Sequence, residues 1–177
     1  MCGIVGAVAQ RDVVPILLEG LRRLEYRGYD SAGIATVVAG QAIQRQRKAG
    51  KVRELELALE SKPMHGNLGI AHTRWATHGE PSEKNAHPHV VGQCKLAIVH
   101  NGIIENYREL KKELKDQNLE SETDSEILGK LIFENYDGDL LQAVKKVLPK
   151  VRGTYGLLVM HADHPDEIVA ARLGSPL

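Results

Sequence analysis

The chain has 177 residues, 42% of them hydrophobic, and its 23 Lys and Arg balance 23 Asp and Glu to a formal net charge of zero. That length is one domain's worth, able to bury roughly 70% of its unfolded surface. The even charge excludes the electrostatic footprint of a nucleic-acid or membrane-surface binder. No run reaches the roughly 18 apolar residues of a membrane-spanning helix, and no basic-then-apolar leader opens the chain. Two cysteines, Cys2 and Cys94, make no disulfide framework, so a cytoplasmic, reducing setting is predicted. Aromatic residues are only 4% of the chain, which leaves the core to aliphatic side chains.

The chain opens Met1-Cys2-Gly3-Ile4-Val5-Gly6. Once an aminopeptidase trims Met1, one carbon of Cys2 carries both a thiol and a free α-amine. Free α-amines titrate at about 7.7–8.0 and free thiols at about 8.5, and an adjacent amine is a recognised way of activating a weak nucleophile. Position alone leaves Cys2 as a small residue at a frayed end. The apolar run from Gly3 to Ala9 reads instead as a buried strand that would hold the cysteine in place.

Asp12 is the predicted N-cap of a helix over 12–25, whose Val13, Ile16, Leu17, Leu21 and Leu24 form one stripe. The loop 26–33 is richer in polar chemistry than a connection requires. Strands are predicted at 34–38 and 42–47, turning at Gly40, then a charged helix over 51–62 closed by Pro63, and a strand over 68–72. Residues 73–89 form a long aperiodic stretch with the sole Trp, a length that is usually functional or disordered. His72, His78, His87 and His89 lie in or beside it, but their spacing fits no common zinc pattern. No metal is predicted, and His87-Pro88-His89 reads as a polar loop packing on the core edge.

A strand over 95–100 runs into Asn101-Gly102, with a charged helix predicted over 105–115. Asn-Gly is ordinarily a hairpin turn. At a strand-to-helix corner it would instead aim one side-chain amide and one backbone N–H the same way, the donor pair of an oxyanion hole. After a polar linker over 116–120, Thr123 and Glu126 fit a capping box, with Asp124 in the first helical turn. Helices follow to about 136 and over 140–147, then strands at 154–160 and 168–172. Strands at both ends with helices between them predict stacked sheets with helical outer layers.

The motifs Cys2-Gly3-Ile4-Val5-Gly6, Leu24-Glu25-Tyr26-Arg27-Gly28-Tyr29-Asp30-Ser31, His72-Thr73-Arg74-Trp75-Ala76-Thr77-His78-Gly79, His100-Asn101-Gly102-Ile103 and Ser121-Glu122-Thr123-Asp124 carry a resemblance along the whole chain. The chain resembles the glutaminase domains of bacterial glucosamine-6-phosphate synthases (glutamine:fructose-6-phosphate amidotransferases), which are class II glutamine amidotransferases. The resemblance implies an α+β N-terminal-nucleophile (Ntn) hydrolase fold, a four-layer αββα sandwich, and hydrolysis of L-glutamine to glutamate and ammonia without a cofactor. It gives Cys2 the nucleophilic role and makes Asn101 and Gly102 the oxyanion hole. Arg74, Thr77 and His78 would hold the substrate α-carboxylate, Asp124 with the Gly102 carbonyl its α-ammonium, Trp75 a lid, and Arg27 a supporting place near the nucleophile.

Two departures stand out. Residues 116–120 are more polar than the short strand expected there. The family's sheet continues past Leu177, so 1–177 is expected to be a C-terminally truncated glutaminase domain without its sugar-phosphate isomerase domains. The expected partners are therefore L-glutamine, those missing domains, and a second copy of the chain along the edge left by the last strand, with no nucleic acid or membrane. The alternatives are an inactive or weakly active fragment that keeps only the fold, or another Ntn amidase such as an acylase, for which the Arg74/Asp124 pair would have no purpose.

Overall fold

The computed structural model describes every residue except Met1 and residues 76–79; the side chain of Arg27 is likewise outside the description. Among the described residues, eight strands form two antiparallel sheets. The first holds β1 (Gly3–Val8), β2 (Ser31–Val37), β3 (Gln44–Ala49) and β4 (Leu68–Arg74) in the order β1-β4-β2-β3. The second holds β5 (His89–Val91), β6 (Leu96–Ile104), β7 (Gly153–His161) and β8 (Val169–Leu173) in sequence order. Helices α1 (Val14–Leu24) and α2 (Val52–Ser61) cover the first sheet, while α4 (Asp124–Glu134) and α5 (Leu140–Val147) cover the second, with α3 (Tyr107–Glu113) packed on α4.

Period-two alternation in the central strands explains the layering. On β4, Leu68 and Ile70 face the other sheet and meet Ala97 and Val99 of β6 and Leu158 and Met160 of β7. Ala71, facing the opposite way, joins Leu17 and Leu21 of α1 and Leu55 of α2. On β6, Leu96, Ile98 and Ile104 turn outward onto Ile127, Leu128, Leu131 and Ile132 of α4. Three apolar layers thus separate four layers of secondary structure. Truncating a fully buried residue such as Leu17 or Leu128 to Ala would cost about 2–5 kcal/mol.

Local signals end most elements where the sequence places them, with informative differences. Asp12 caps α1 from one residue further out than predicted: its Oδ1 accepts from Val14 N–H at 3.2 Å, and Pro15 occupies the first turn. β2 begins at Ser31, three residues earlier than its apolar run, because Ser31 and Gly33 pair with Arg74 and His72 of β4. β4 for the same reason extends to Arg74. The largest difference concerns Asn101-Gly102. The pair does not sit at a strand-to-helix corner; it lies inside β6, opposite Gly156 and Tyr155 of β7.

Candidate active site

A cavity of roughly 750 Å³ opens where the ends of β1, β4 and β6 meet the start of α4. That volume lies in the range of small-molecule sites. Its lining includes Cys2, Arg74, Trp75, Asn101, Gly102 and Asp124, drawn from four separate segments of the chain. Thr77 and His78, and the side chain of Arg27, lie outside what is described; the Arg27 backbone closes a 3-10 turn over Glu25–Arg27.

Cys2 immediately precedes β1, whose antiparallel pairing with β4 sets Gly3 opposite Thr73. The Thr73 Oγ1 accepts from Gly3 N–H at 3.1 Å and so tethers the first residues of the strand. Cys2 Sγ accepts from Trp75 N–H at 3.1 Å and donates to the Trp75 carbonyl at 3.6 Å. The Trp75 ring is half exposed and lies over Gly28, at the cavity mouth.

Asn101 projects from β6 toward the opposing sheet. Its Nδ2 donates to the Cys2 carbonyl at 3.2 Å, and its Oδ1 lies 2.7 Å from His72 Nε2. The next residues follow the strand's alternation, in which backbone groups of i and i+2 face the same edge. Glu105 N–H bonds back toward β7 at Arg152, whereas Ile104 N–H turns away from β7 and donates to Asp124 Oδ2 at 2.8 Å. Gly102, two residues before Ile104, lines the cavity beside Asn101.

Asp124 is 6% exposed and opens α4, where the positive end of the helix dipole favours a carboxylate. The cap beneath it differs from the predicted reciprocal box. Thr123 Oγ1 does accept from Glu126 N–H at 3.4 Å. The Glu126 carboxylate, however, reaches past Thr123 to Glu120 N–H at 2.8 Å and to Ser121 N–H and Oγ, both at 2.6 Å. Arg74, 4% exposed at the end of β4, donates through Nη1 to the Glu80 carbonyl at 3.2 Å. The cavity therefore holds a guanidinium and a carboxylate within one small volume, the complement of a zwitterion.

Several residues of this neighbourhood were given no catalytic or binding role from the sequence. His100 lines the cavity and meets Ser125 Oγ through Nδ1 at 2.8 Å. Burial holds its imidazole below the ordinary value, against the upward pull of the Asp124 charge. His87 and His89, read from sequence as loop-edge residues, are buried in a column with His72 of β4: His72 and His87 rings lie 4.4 Å apart, His87 and His89 4.6 Å, and His89 Nε2 meets Thr123 Oγ1 at 2.8 Å. His72 and His100 each open one of the motifs quoted above, and that placement is the signal by which the sequence could have flagged them.

Two facing antiparallel sheets, helices outside them, and a cysteine at the head of the first strand inside the cavity define an N-terminal-nucleophile amidotransferase architecture. Comparison with known proteins agrees. The sequence profile of the glutamine amidotransferase domain matches residues 72–174. The chain is 57% identical over 183 aligned positions to glutamine–fructose-6-phosphate aminotransferase (isomerizing) of Shigella flexneri and, at the same identity, to that of Escherichia coli strain K12, covering 100% of this chain and 29% of each relative. The glutamine phosphoribosylpyrophosphate amidotransferase of B. subtilis, solved with ADP and GMP, superposes with a TM-score of 0.80 at 26% identity over 97% of this chain and 37% of that one. The chain belongs to the glutamine amidotransferase domain family. It spans under a third of the length of the curated relatives it matches.

Proposed function

We propose that this domain hydrolyses L-glutamine to L-glutamate and ammonia through Cys2. The observation that carries the reading is the convergence of Cys2, Asn101-Gly102, Arg74 and Asp124 on one cavity. Arg74 takes the substrate α-carboxylate in its planar fork, helped by Thr77 and His78, and Asp124 with the Gly102 carbonyl takes the α-ammonium. This fixes the side-chain amide over the thiol. With Met1 removed, the Cys2 α-amine accepts the thiol proton and Sγ bonds to the amide carbon. The carbonyl oxygen becomes an oxyanion held by the second N–H of Asn101 Nδ2 and by Gly102 N–H. Collapse breaks the C–N bond, the proton passes from the α-amine to the departing ammonia, and a thioester remains. Water then attacks the thioester, giving glutamate and free Cys2. The Trp75 N–H already on Sγ supports its charge during attack, and the Trp75 side chain closes over bound substrate. Arg27 supports the nucleophile from the neighbouring turn.

In the longer protein the ammonia would pass to sugar-phosphate isomerase domains that aminate fructose-6-phosphate, as the names of the relatives suggest. No helix among the described residues is long and apolar enough to cross a membrane, and both cysteines are free, which suits a cytoplasmic enzyme. Self-association would run through the outer edge of β8, which has no partner strand among the described residues.

The test is ammonia release from glutamine by protein with Cys2 as its first residue, compared with protein carrying an uncleavable N-terminal extension. Activity is expected only in the former. A glutamine-like electrophile is expected to label Cys2 and spare the exposed Cys94. An extended protein that still turns over, or faster hydrolysis of simple acyl amides than of glutamine, would overturn the reading.

A further inference from the structure

The Asn101 amide can act as an oxyanion donor only if its nitrogen, not its oxygen, faces Cys2. Amide orientation follows from the hydrogen-bond partners at each end. One end lies 3.2 Å from the Cys2 carbonyl, a pure acceptor, so that end must be Nδ2. The other end, Oδ1, then needs a donor, and the group it meets at 2.7 Å is His72 Nε2. A neutral imidazole has one N–H, and only the tautomer with the proton on Nε2 satisfies this contact. We infer that His72 is a positioning residue for the glutaminase reaction, its Nε2–H locking the Asn101 amide so that one N–H meets the Cys2 carbonyl and the other points at the developing oxyanion.

The surroundings of His72 fit that task. It comes from β4 in the first sheet and Asn101 from β6 in the second, so the bond crosses the seam between the sheets and keeps the donor in register with the nucleophile. The imidazole is 1% exposed, and the His87 ring packs against it at 4.4 Å. The His87 ring is itself seated by its backbone: the carbonyl lies only 2.1 Å from where a Cβ on Gly33 would be, a position no other residue could occupy unchanged. Burial pushes the His72 pKa down to about 4, so near neutral pH the ring is uncharged and holds one proton, which the contact with Asn101 Oδ1 calls for on Nε2. His72 touches no reacting atom. Its effect on the reaction is the orientation of an amide that would otherwise be free to turn its oxygen toward a developing negative charge.

The role rests on the proposed glutaminase reaction, and the test separates the two. It uses the protein at its natural length with Cys2 as first residue, and compares His72→Gln with His72→Met. These side chains are alike in length, and only the first carries an N–H donor. His72→Met is expected to lower kcat for glutamine by about tenfold or more with KM changed by less than about twofold, while His72→Gln stays within about threefold of native. In an Asn101→Ala background the two substitutions should become indistinguishable, because the amide they orient is gone. Should His72→Met lack a cooperative thermal transition, His72→Phe supplies a folded ring without a donor in its place. A folded donor-less variant with native kcat, a His72→Gln protein as impaired as it, or an equal loss in the Asn101→Ala background would overturn the role of His72. A native protein that releases no ammonia from glutamine would instead remove the reaction itself.

Discussion

Gly102 has a φ of +131°, a backbone conformation that L side chains rarely adopt. A Cβ built there would sit 2.1 Å from the Thr154 carbonyl oxygen on β7, which is backbone and cannot step aside cheaply. The pair Asn101-Gly102 therefore divides: the first residue supplies a side chain to the seam between the sheets, and the second carries none because β7 backbone fills the place a side chain would take. Gly102→Ala is expected to cost about 2 kcal/mol or more, from the left-handed backbone and the displaced strand together. It should also reduce kcat more than it changes KM. Urea unfolding and steady-state ammonia release check both; an alanine variant with native stability and turnover would show that the strand can shift without disturbing the donor.

At the scale of the element, the start of α4 is where helix capping and the substrate recognition proposed for Asp124 share one turn. Glu126 is 4% exposed, and its carboxylate gathers three donors from Glu120 and Ser121. Its neighbour Asp124 ties α4 to β6 through Ile104 N–H. Removing the Glu126 carboxylate leaves buried donors without partners, at about 1–3 kcal/mol for each one that water does not reach. Glu126→Ala is thus expected to destabilise the fold by several kcal/mol in total, as a lower midpoint in chemical denaturation. Because the loosened turn holds Asp124, KM for glutamine should rise more than kcat falls. Equal kcat and KM effects, or none, would mean that Asp124 is held by Ile104 alone.

At the scale of the whole molecule, four imidazoles are buried close to the seam and the cavity: His72, His87, His89 and His100. Burial depresses all four, to about 4 for His72 and well below the ordinary value for His87 and His89. The unfolded chain binds a proton on each near pH 6.5, while the folded chain does not. In that interval the unfolded state carries more protons, so stability rises with pH. It should be full above about pH 6.5 and fall as the pH is lowered toward about 4, by about 3 kcal/mol from His72 alone. Urea midpoints at pH 7.5 and 5.0 measure this. His72→Gln should flatten part of the slope, and a protein equally stable at both pH values would show that water reaches these rings.

Local and periodic signals are strong in this chain, and what they carry was legible. α5 over Leu140–Val147 coincides with its predicted span, and α2 stops before Pro63. The cysteine, the Asn-Gly pair and the Arg74 and Asp124 positions are chemistry written in residue type, and the resemblance of their motifs names the reaction class. What no reading along the chain supplies is which distant residues meet. The polar start of β2 is a strand because β3 and β4 pair with it from both sides, and Asn101-Gly102 is neither turn nor corner because β7 continues alongside. The contact between His72 and Asn101 joins two sheets across 29 positions, and backbone pairing set elsewhere brings them to 2.7 Å. Side-chain chemistry and local propensity belong to the residues themselves; strand register, burial and the depressed histidines arise only when separate segments exclude water together.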